Sequence, residues 1–327
     1  MSSCFNRKEV IYTVYQEGSI SKAAQKLFVS QPSLSIMIRK IEDEIGVPLF
    51  DRTSKPLRMT QAGMEYIKAA EAIFCIERSF DNYINAFNNL LTGSLVIGSN
   101  QLLSSLVLPK YVSEFIRRYP NIDLHLVDDN SLALENLVAS GQLDLVVDNR
   151  KLDPAGFEQQ YLRTEHLLLA VPASFACNRG LEEYQLRETD ILSGAYLSPE
   201  IRPAPTEPFQ NLPFISMTRD NDTRRCSDEI LKDAGITPNT ILEIDRLVTL
   251  YNFIEIGTAA SIVSDTLVQH IQHHSGKVVF YRLDSPCAQR IIYLSCKRNK
   301  YYSRAMKAFM ELIAQMGDRP LSGNAAP

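Results

Sequence analysis

The stretch Ser30-Gln31-Pro32-Ser33-Leu34-Ser35-Ile36-Met37-Ile38-Arg39-Lys40-Ile41-Glu42 leaves this chain fewer options than any other part of its sequence. Ser30 suits a helix cap, and Pro32 falls in the first turn, where a missing N–H costs nothing. Leu34, Ile38 and Ile41 recur at i, i+4, i+7 and make one buried stripe. The opposite face carries Gln31, Ser33, Ser35, Arg39 and Lys40, groups able to reach base edges or phosphates. Ile36 and Met37 do not both fit on the stripe. The spacing predicts a helix that buries one side and offers the other to a nucleic acid.

The flanks support this. Residues 6–17 read as a helix capped by Asn6, with Val10, Ile11, Val14 and Tyr15 inward and Gly18 ending it. Ser19 or Ser21 caps a short second helix that buries Ala23, Ala24 and Leu27, and Phe28-Val29 form the turn into the third. Helix, tight turn, helix is the helix-turn-helix unit, whose second helix enters the major groove; a plain helical bundle is the competing reading. Charge distribution weighs against the bundle. The formal charge is −4 over 327 residues, yet residues 1–60 hold nine Lys and Arg against six Asp and Glu, a net +3 that leaves −7 on the rest. A basic head on an acidic body suits a nucleic-acid binder with a separate sensing part.

Residues 17–63 resemble the winged helix-turn-helix of LysR-type transcriptional regulators. The resemblance is carried by Glu17-Gly18-Ser19, Ala23-Ala24, Leu27, Val29-Ser30-Gln31-Pro32, Leu34-Ser35, Ile38, Ile41-Glu42, Glu44-Ile45-Gly46, Leu49-Phe50, Arg52 and Arg58-Met59-Thr60-Gln61-Ala62-Gly63. It implies a wing from Asp51 to Arg58 along the minor groove and backbone. There Arg52, Lys55 and Arg58 would add sequence-independent affinity by counterion release. For Lys55 and Arg58 a solvated turn is the competing reading. The chain departs from the family at Ile36, where members often carry Arg or another polar residue, so a bidentate Arg contact is lost there. Ile36 or Met37 is expected either to meet thymine methyls or to pack on the first helix.

Thr60 suits a cap for the next helix, and no Pro or Gly interrupts residues 64–91. Tyr66, Ala70, Ile73, Glu77, Phe80, Ile84, Phe87 and Leu91 alternate spacings of four and three, a heptad seam with one polar break at Glu77. Such a helix would be roughly 45 Å long. Pairing with a second copy explains it better than an intramolecular bundle, and it resembles the family's dimerising linker helix. Tetramers built as dimers of dimers are implied by the resemblance alone.

Beyond Leu91-Thr92-Gly93-Ser94 the chain reads as α/β. Strands are expected at 95–98, 122–127 and 143–147 with helices at 103–118 and 131–140. A second set has strands at 166–171, 214–217, 240–244, 260–263, 278–281 and 290–295, and helices at 222–234, from Arg246, and at 302–316. The Pro-rich segment 199–213 reads as an irregular surface connection and 317–327 as a frayed tail. The resemblance implies two Rossmann-like subdomains of periplasmic-binding-protein type, 94–163 with 268–316, and 164–267. The chain then divides into a DNA-binding domain (1–60), a linker helix (61–91) and an effector-binding domain (92–316).

Ligands of such folds lie at strand C-termini and helix N-termini. That rule selects Ser99, Asn100, Gln101 and Asn130, beside Asp128, Asp129 and Ser131, and from the other subdomain Ser198, Thr218 and Arg219. Arg202, Arg219, Arg224 and Arg225 can pair with a carboxylate or phosphate. With the helix dipoles pointing the same way, an anionic effector is expected. Ser264 stands where the family's glycine-rich segment usually ends in Pro, which leaves the hinge geometry open.

A two-lobed α/β enzyme, transferase- or dehydratase-like, is the main competing class, and an exported solute-binding protein the second. No nucleophile elbow or phosphate loop supports the enzyme, and export would not explain residues 1–60. The cysteines, Cys4, Cys75, Cys177, Cys226, Cys287 and Cys296, lack metal-finger or C-x-x-C spacing, which favours reduced thiols over a redox pair. His273-His274 has no further ligands nearby in sequence, and no cofactor is expected. Without an export signal or a membrane-length apolar run, the chain reads as cytoplasmic and bacterial. Its expected partners are double-stranded DNA, a small-molecule effector and further copies of itself.

Overall fold

The computed structural model describes residues 5–53, 57–87, 93–219, 221–271, 276–298 and 300–316. Its contacts divide the chain into two compact units, Met1–Ile84 and Asn85–Pro327.

The first unit holds α1 (Lys8–Glu17), α2 (Ile20–Lys26), α3 (Gln31–Ile45), the strands β1 (Phe50–Asp51) and β2 (Arg58–Met59), and most of α4 (Gln61–Phe87). Arg7 rather than Asn6 precedes α1 and provides no side-chain cap, while Gly18 closes it in a left-handed conformation. The hydroxyls of Ser19 and Ser30 accept backbone N–H groups of α2 and α3, those of Lys22 and Ser33. Ile11, Val14, Ala23 and Ala24 pack with Leu34, Ile38 and Ile41 of α3 and with Leu49 and Phe50. Tyr15, expected inside, is 39% exposed. β1 and β2 pair antiparallel at the base of the wing.

The seam predicted along α4 needs correction. Tyr66 and Ala70 are buried in this unit's own core beside Ile67. Glu77 is no break in a seam, because its carboxylate takes a hydrogen bond from Lys8 Nζ at 2.7 Å. The exposed apolar side chains on the outer half are Ile76, Phe80, Tyr83 and Ile84. The side chains of Phe87 and Leu91 lie outside the described residues. Periodicity shows which face is apolar, not what covers it. Gly63 has its own reason: a Cβ there would sit 2.1 Å from the Leu49 carbonyl oxygen, so only glycine lets α4 start against that backbone.

The second unit begins with β3 (Gly93–Ser99), α5 (Gln101–Leu106), α6 (Leu108–Arg118), β4 (Ile122–Asp128), α7 (Ser131–Ser140) and β5 (Leu145–Asp148). The single helix predicted at 103–118 is two, parted at Val107 just ahead of Pro109. Then follow β6 (Phe157–Pro172), α8 (Glu188–Ser193), β7 (Pro213–Met217), α9 (Asp222–Asp233), β8 (Asn239–Ile244), α10 (Leu247–Ile256), β9 (Ser261–Ser264) and α11 (Asp265–His270). β10 (Val278–Tyr281), β11 (Gln289–Lys297) and α12 (Arg304–Met316) close the chain. In one lobe β3 pairs parallel with β4 and β5, and β5 pairs antiparallel with β11. In the other β7 pairs parallel with β8, and β9 and β10 pair antiparallel with the C-terminal half of β6. The N-terminal half of β6 runs antiparallel to β11, so this ladder joins the lobes.

Each lobe has its own core. Phe115, Ile97, Leu145, Ile292 and Phe309 anchor the first. Two clusters fill the second, one around Tyr251, Leu250 and Phe280, the other around Phe209, Phe214 and Tyr281. β10 therefore packs in the second lobe, and the chain regains the first at β11, later than the 268 read from sequence. β6 starts nine residues before the predicted 166, because its first half pairs with β11 instead of lying in a loop. The segment 199–213 is no mere surface connection either: Ala204 and Phe209 are buried in the second lobe.

Candidate functional site

Two surfaces carry the chemistry, one on each unit. On the first, α3 presents Gln31, Pro32, Ser33, Ile36, Arg39 and Lys40 to solvent, with Ser35 and Met37 half-buried. Ile36 is 68% exposed, so it does not pack on α1. The Gln31 Oε1 takes a hydrogen bond from the Ser21 hydroxyl at 3.2 Å, which holds the amide at the helix entrance. Phe28, in the turn before α3, is 96% exposed and has a φ of +54°. Sequence reading noticed it only as a turn residue. A left-handed, solvent-facing aromatic beside a polar helix face is the signal that could have raised it.

The wing is less uniform than expected. Arg58 is exposed and Lys55 lies outside the described residues. Arg52 donates to Glu42 Oε2 at 2.6 Å, while Glu42 Oε1 takes the N–H groups of Leu49 at 2.8 Å and Phe50 at 3.2 Å. Arg52 therefore compensates a buried carboxylate that pins the chain leaving α3, a structural duty that competes with phosphate binding.

On the second unit a cleft of about 570 Å³ opens between the lobes. It sits outside the C-terminal ends of β3, β4, β5, β7 and β8, where α5, α7, α9 and α10 begin. Asn100, Gln101 and Asn130 line it from one lobe and Thr218 from the other, as the strand-end rule anticipated. Asn100 and Asn130 also cap α5 and α7, so their amide oxygens are occupied by backbone N–H groups. Asn100 Nδ2 further donates to Asp148 Oδ1 at 2.8 Å, and burial pushes the Asp148 carboxyl up from its usual range.

Residues 88–318 match the family described as LysR substrate binding domain, and residues 5–64 match the bacterial regulatory helix-turn-helix protein, lysR family. The chain belongs to the LysR family. It is 27% identical over 318 residues to the uncharacterized HTH-type transcriptional regulator YcgK of Bacillus subtilis, covering 95% of each protein. It is 25% identical over 310 residues to a probable RuBisCO transcriptional regulator of Cyanophora paradoxa, covering 94% of this chain and 90% of that one. The fold is shared with the crystal structure of CbnR, a LysR family transcriptional regulator, at a TM-score of 0.66 and 18% identity over 96% of this chain and 99% of that one. The protein is thus a LysR-type transcriptional regulator, with a helix-turn-helix that binds DNA and a two-lobed effector domain. Among the described residues no helix is long and apolar enough to cross a membrane.

Several residues expected in this regulator's cleft stand elsewhere. Ser99 is buried, and its hydroxyl donates to the Val147 carbonyl at 2.8 Å, tying β3 to β5. Ser198 lies outside the cleft lining, where its hydroxyl accepts the Glu200 N–H at 3.3 Å and its carbonyl takes Arg282. Arg202 and Arg219 are exposed and outside the lining. Arg224 pairs with Asp228 and Glu243, and Arg225 with Asp222. The cations on which an anionic effector rested are absent from the cleft or already engaged.

The sequence reading missed Asn149, Asp222, Asp245, Arg246 and Arg290 as lining residues. Arg246 and Asp245 follow β8 and were open to the same strand-end rule. Arg290 was not, because it comes from β11, which crosses between the lobes. Its Nε donates to Glu165 Oε2 at 2.5 Å, and its Nη1 reaches Asp222 Oδ2 at 3.3 Å. Asp222 also accepts from Asn149, so the contact runs from one lobe to the other. Burial opposes ionisation of Asp222, yet Arg290 and Arg225 hold it below the ordinary carboxylate range.

The family departure at Ser264 finds a physical account here. Its hydroxyl donates to Glu165 Oε1 at 2.5 Å and accepts the Thr266 N–H at 3.0 Å as the cap of α11. A proline at this position could do neither. Four thiols are held toward the protonated form: burial raises Cys177, Cys226 and Cys296, and the Glu229 carboxylate pushes Cys287 up to about 11. Among the described residues no cluster of His, Cys, Asp and Glu could hold a metal ion.

Proposed function

We propose that this LysR-type regulator reads its operator through the outer face of α3 and is controlled by a small molecule in the cleft between the lobes. Gln31, Pro32, Ser33 and Ser35 dock the helix, Ile36 meets thymine methyls, and Arg39, Lys40, Lys55 and Arg58 neutralise phosphates. Phe28 lies against the sugar-phosphate edge at the helix entrance. The chain works as a homodimer, paired through the exposed Ile76, Phe80, Tyr83 and Ile84 of α4, and assembles further into tetramers. It acts in the cytoplasm and catalyses no reaction. One neighbour in fold is the full-length CbnR complexed with its target DNA, which supports DNA as the partner sought here.

The observation that carries the effector reading is the cleft itself, lined from both lobes at strand ends and helix starts. A ligand touching both walls favours one lobe arrangement over others, which is a population shift and not chemistry. Fluorescence anisotropy with the DNA upstream of the regulator's own gene, at two salt concentrations, tests the first half. Binding with a steep negative salt slope is expected, and absence of binding at low salt defeats it. Loss of preference for A·T-rich half-sites in Ile36→Ala tests the assignment of Ile36, and an unchanged site preference refutes it.

A further inference from the structure

The cleft's charges point to a class of effector opposite to the one its helix starts suggest. Its lining holds four carboxylates, Asp128, Asp129, Asp222 and Asp245, against two cations, Arg246 and Arg290. Arg290 is not available to a ligand anion, because Glu165 and Asp222 already hold it. Asp222 in turn is satisfied by Arg290, Arg225 and Asn149. What faces an incoming molecule is therefore Asp128 and Asp129 at the end of β4, Asp245 at the end of β8, and Arg246 beside it.

We infer that the effector carries a protonated amine or guanidinium group, seated between Asp128 of one lobe and Asp245 of the other. The inference rests on the cleft being the effector site, which the match of residues 88–318 to a substrate-binding domain supports independently of charge. Burial pushes the Asp128 carboxyl up, Arg246 pulls it down, and the neighbouring Asp129 adds a smaller push, so Asp128 stands within electrostatic reach of one cation and one further anion. A cation placed there makes charge-assisted hydrogen bonds to a carboxylate of each lobe. Arg246 remains for a polar or carboxylate end, which admits zwitterions such as amino acids as well as simple polyamines. A dicarboxylate or inorganic phosphate would find no uncommitted pair of cations among the described lining residues.

The test uses the full-length protein and thermal unfolding at matched ionic strength. Putrescine, L-lysine and L-arginine form one probe set, and succinate, benzoate and inorganic phosphate the other. At least one amine is expected to raise Tm in a saturable way, and Asp128→Asn or Asp245→Asn to raise its half-saturating concentration about tenfold or more. Both variants keep side-chain size, and their ligand-free Tm values check that the fold survives. A Tm rise from the anions alone, abolished by Ser105→Phe in the cleft wall, overturns the amine class and keeps the effector site. A Tm rise that Ser105→Phe leaves intact overturns the site as well. No response to any amine, or an equal response in wild type and both Asp variants, also overturns the inference.

Discussion

The two functional surfaces of this regulator hold most of their cations differently. On the reading head Arg39, Lys40 and Arg58 stand exposed. In the cleft Arg246 is exposed too, but Arg290 is clamped between Glu165 and Asp222, and on the same lobe as Arg246 the Arg224 guanidinium is spent on Asp228 and Glu243. Arg52 lies between these extremes, half-exposed yet paired with the buried Glu42. The difference follows from what each surface meets. Phosphates repeat along DNA and reward long, mobile cations with counterion release, whereas a cleft must hold one shape before its ligand arrives. Locked charges give that shape. Loose ones give affinity.

The sharpest break of this contrast is Arg290→Met, which strands the buried Glu165 carboxylate. We expect a loss of about 3–5 kcal/mol in urea unfolding of the effector domain, with no direct effect on the outer face of α3. Asp222 supplies the pH test. Its folded value lies below its ordinary 3.8, so its stabilisation is complete above that value and disappears as pH falls through the depressed one. In Arg290→Met the acid unfolding limb should therefore begin at higher pH; an unchanged limb would show that the clamp does not act on Asp222.

Glu42→Ala should come next. It leaves the Leu49 and Phe50 N–H groups buried without their acceptor and frees Arg52, costing about 2–3 kcal/mol in the first unit. Arg39→Ala with Lys40→Ala should do the reverse, leaving stability within about 0.5 kcal/mol. This double variant should weaken DNA uniformly across sequences and reduce the salt slope by about 1 for each phosphate contact removed. If it instead changes which sequence is preferred, those residues read bases and the contrast needs redrawing. Among the variants that lose stability, the smallest loss is expected for Ser264→Ala, about 1 kcal/mol from a lost cap and one hydrogen bond to Glu165, read as a drop in Tm.

How much of this was legible depended on the range of the interactions involved. The helix-turn-helix could be read because its signals are local: Ser30 caps α3, Leu34, Ile38 and Ile41 mark its stripe, and Gly18 closes α1. The alternation of strands and helices in the body was equally local, and it led to Asn100, Gln101, Asn130 and Thr218 in the cleft. Residues whose roles depend on distant partners could not be placed. Ser99 sits at a strand end like Asn100, yet it turns inward to Val147, and nothing nearby in sequence separates the two. Arg290 enters the cleft only because β11 pairs with β6, more than a hundred residues upstream. Tyr66 and Ala70 looked like an intermolecular seam because what covers them, such as Phe5 stacked on Tyr66, comes from elsewhere in the chain. The break between α5 and α6 was legible in hindsight from Pro109, which belongs at a helix start.

The ladder between β6 and β11 has a consequence for how such a chain can change over time. Glu165 faces Arg290 and His166 faces Gln289 across adjacent rungs, so the second lobe enters and leaves through neighbouring points of one sheet. The whole lobe is a single uninterrupted insert whose two ends are already held together without it. Such a segment can be exchanged for another of different specificity while the first lobe keeps its chain path. Only the rungs at the junction must match, and here they carry the Glu165–Arg290 pair. A recombinant that brings in a foreign second lobe with its own β6 end but keeps the resident Arg290 would inherit new ligand contacts from one parent. Its coupling between lobes would then depend on whether the donor also supplies an acid to meet that arginine.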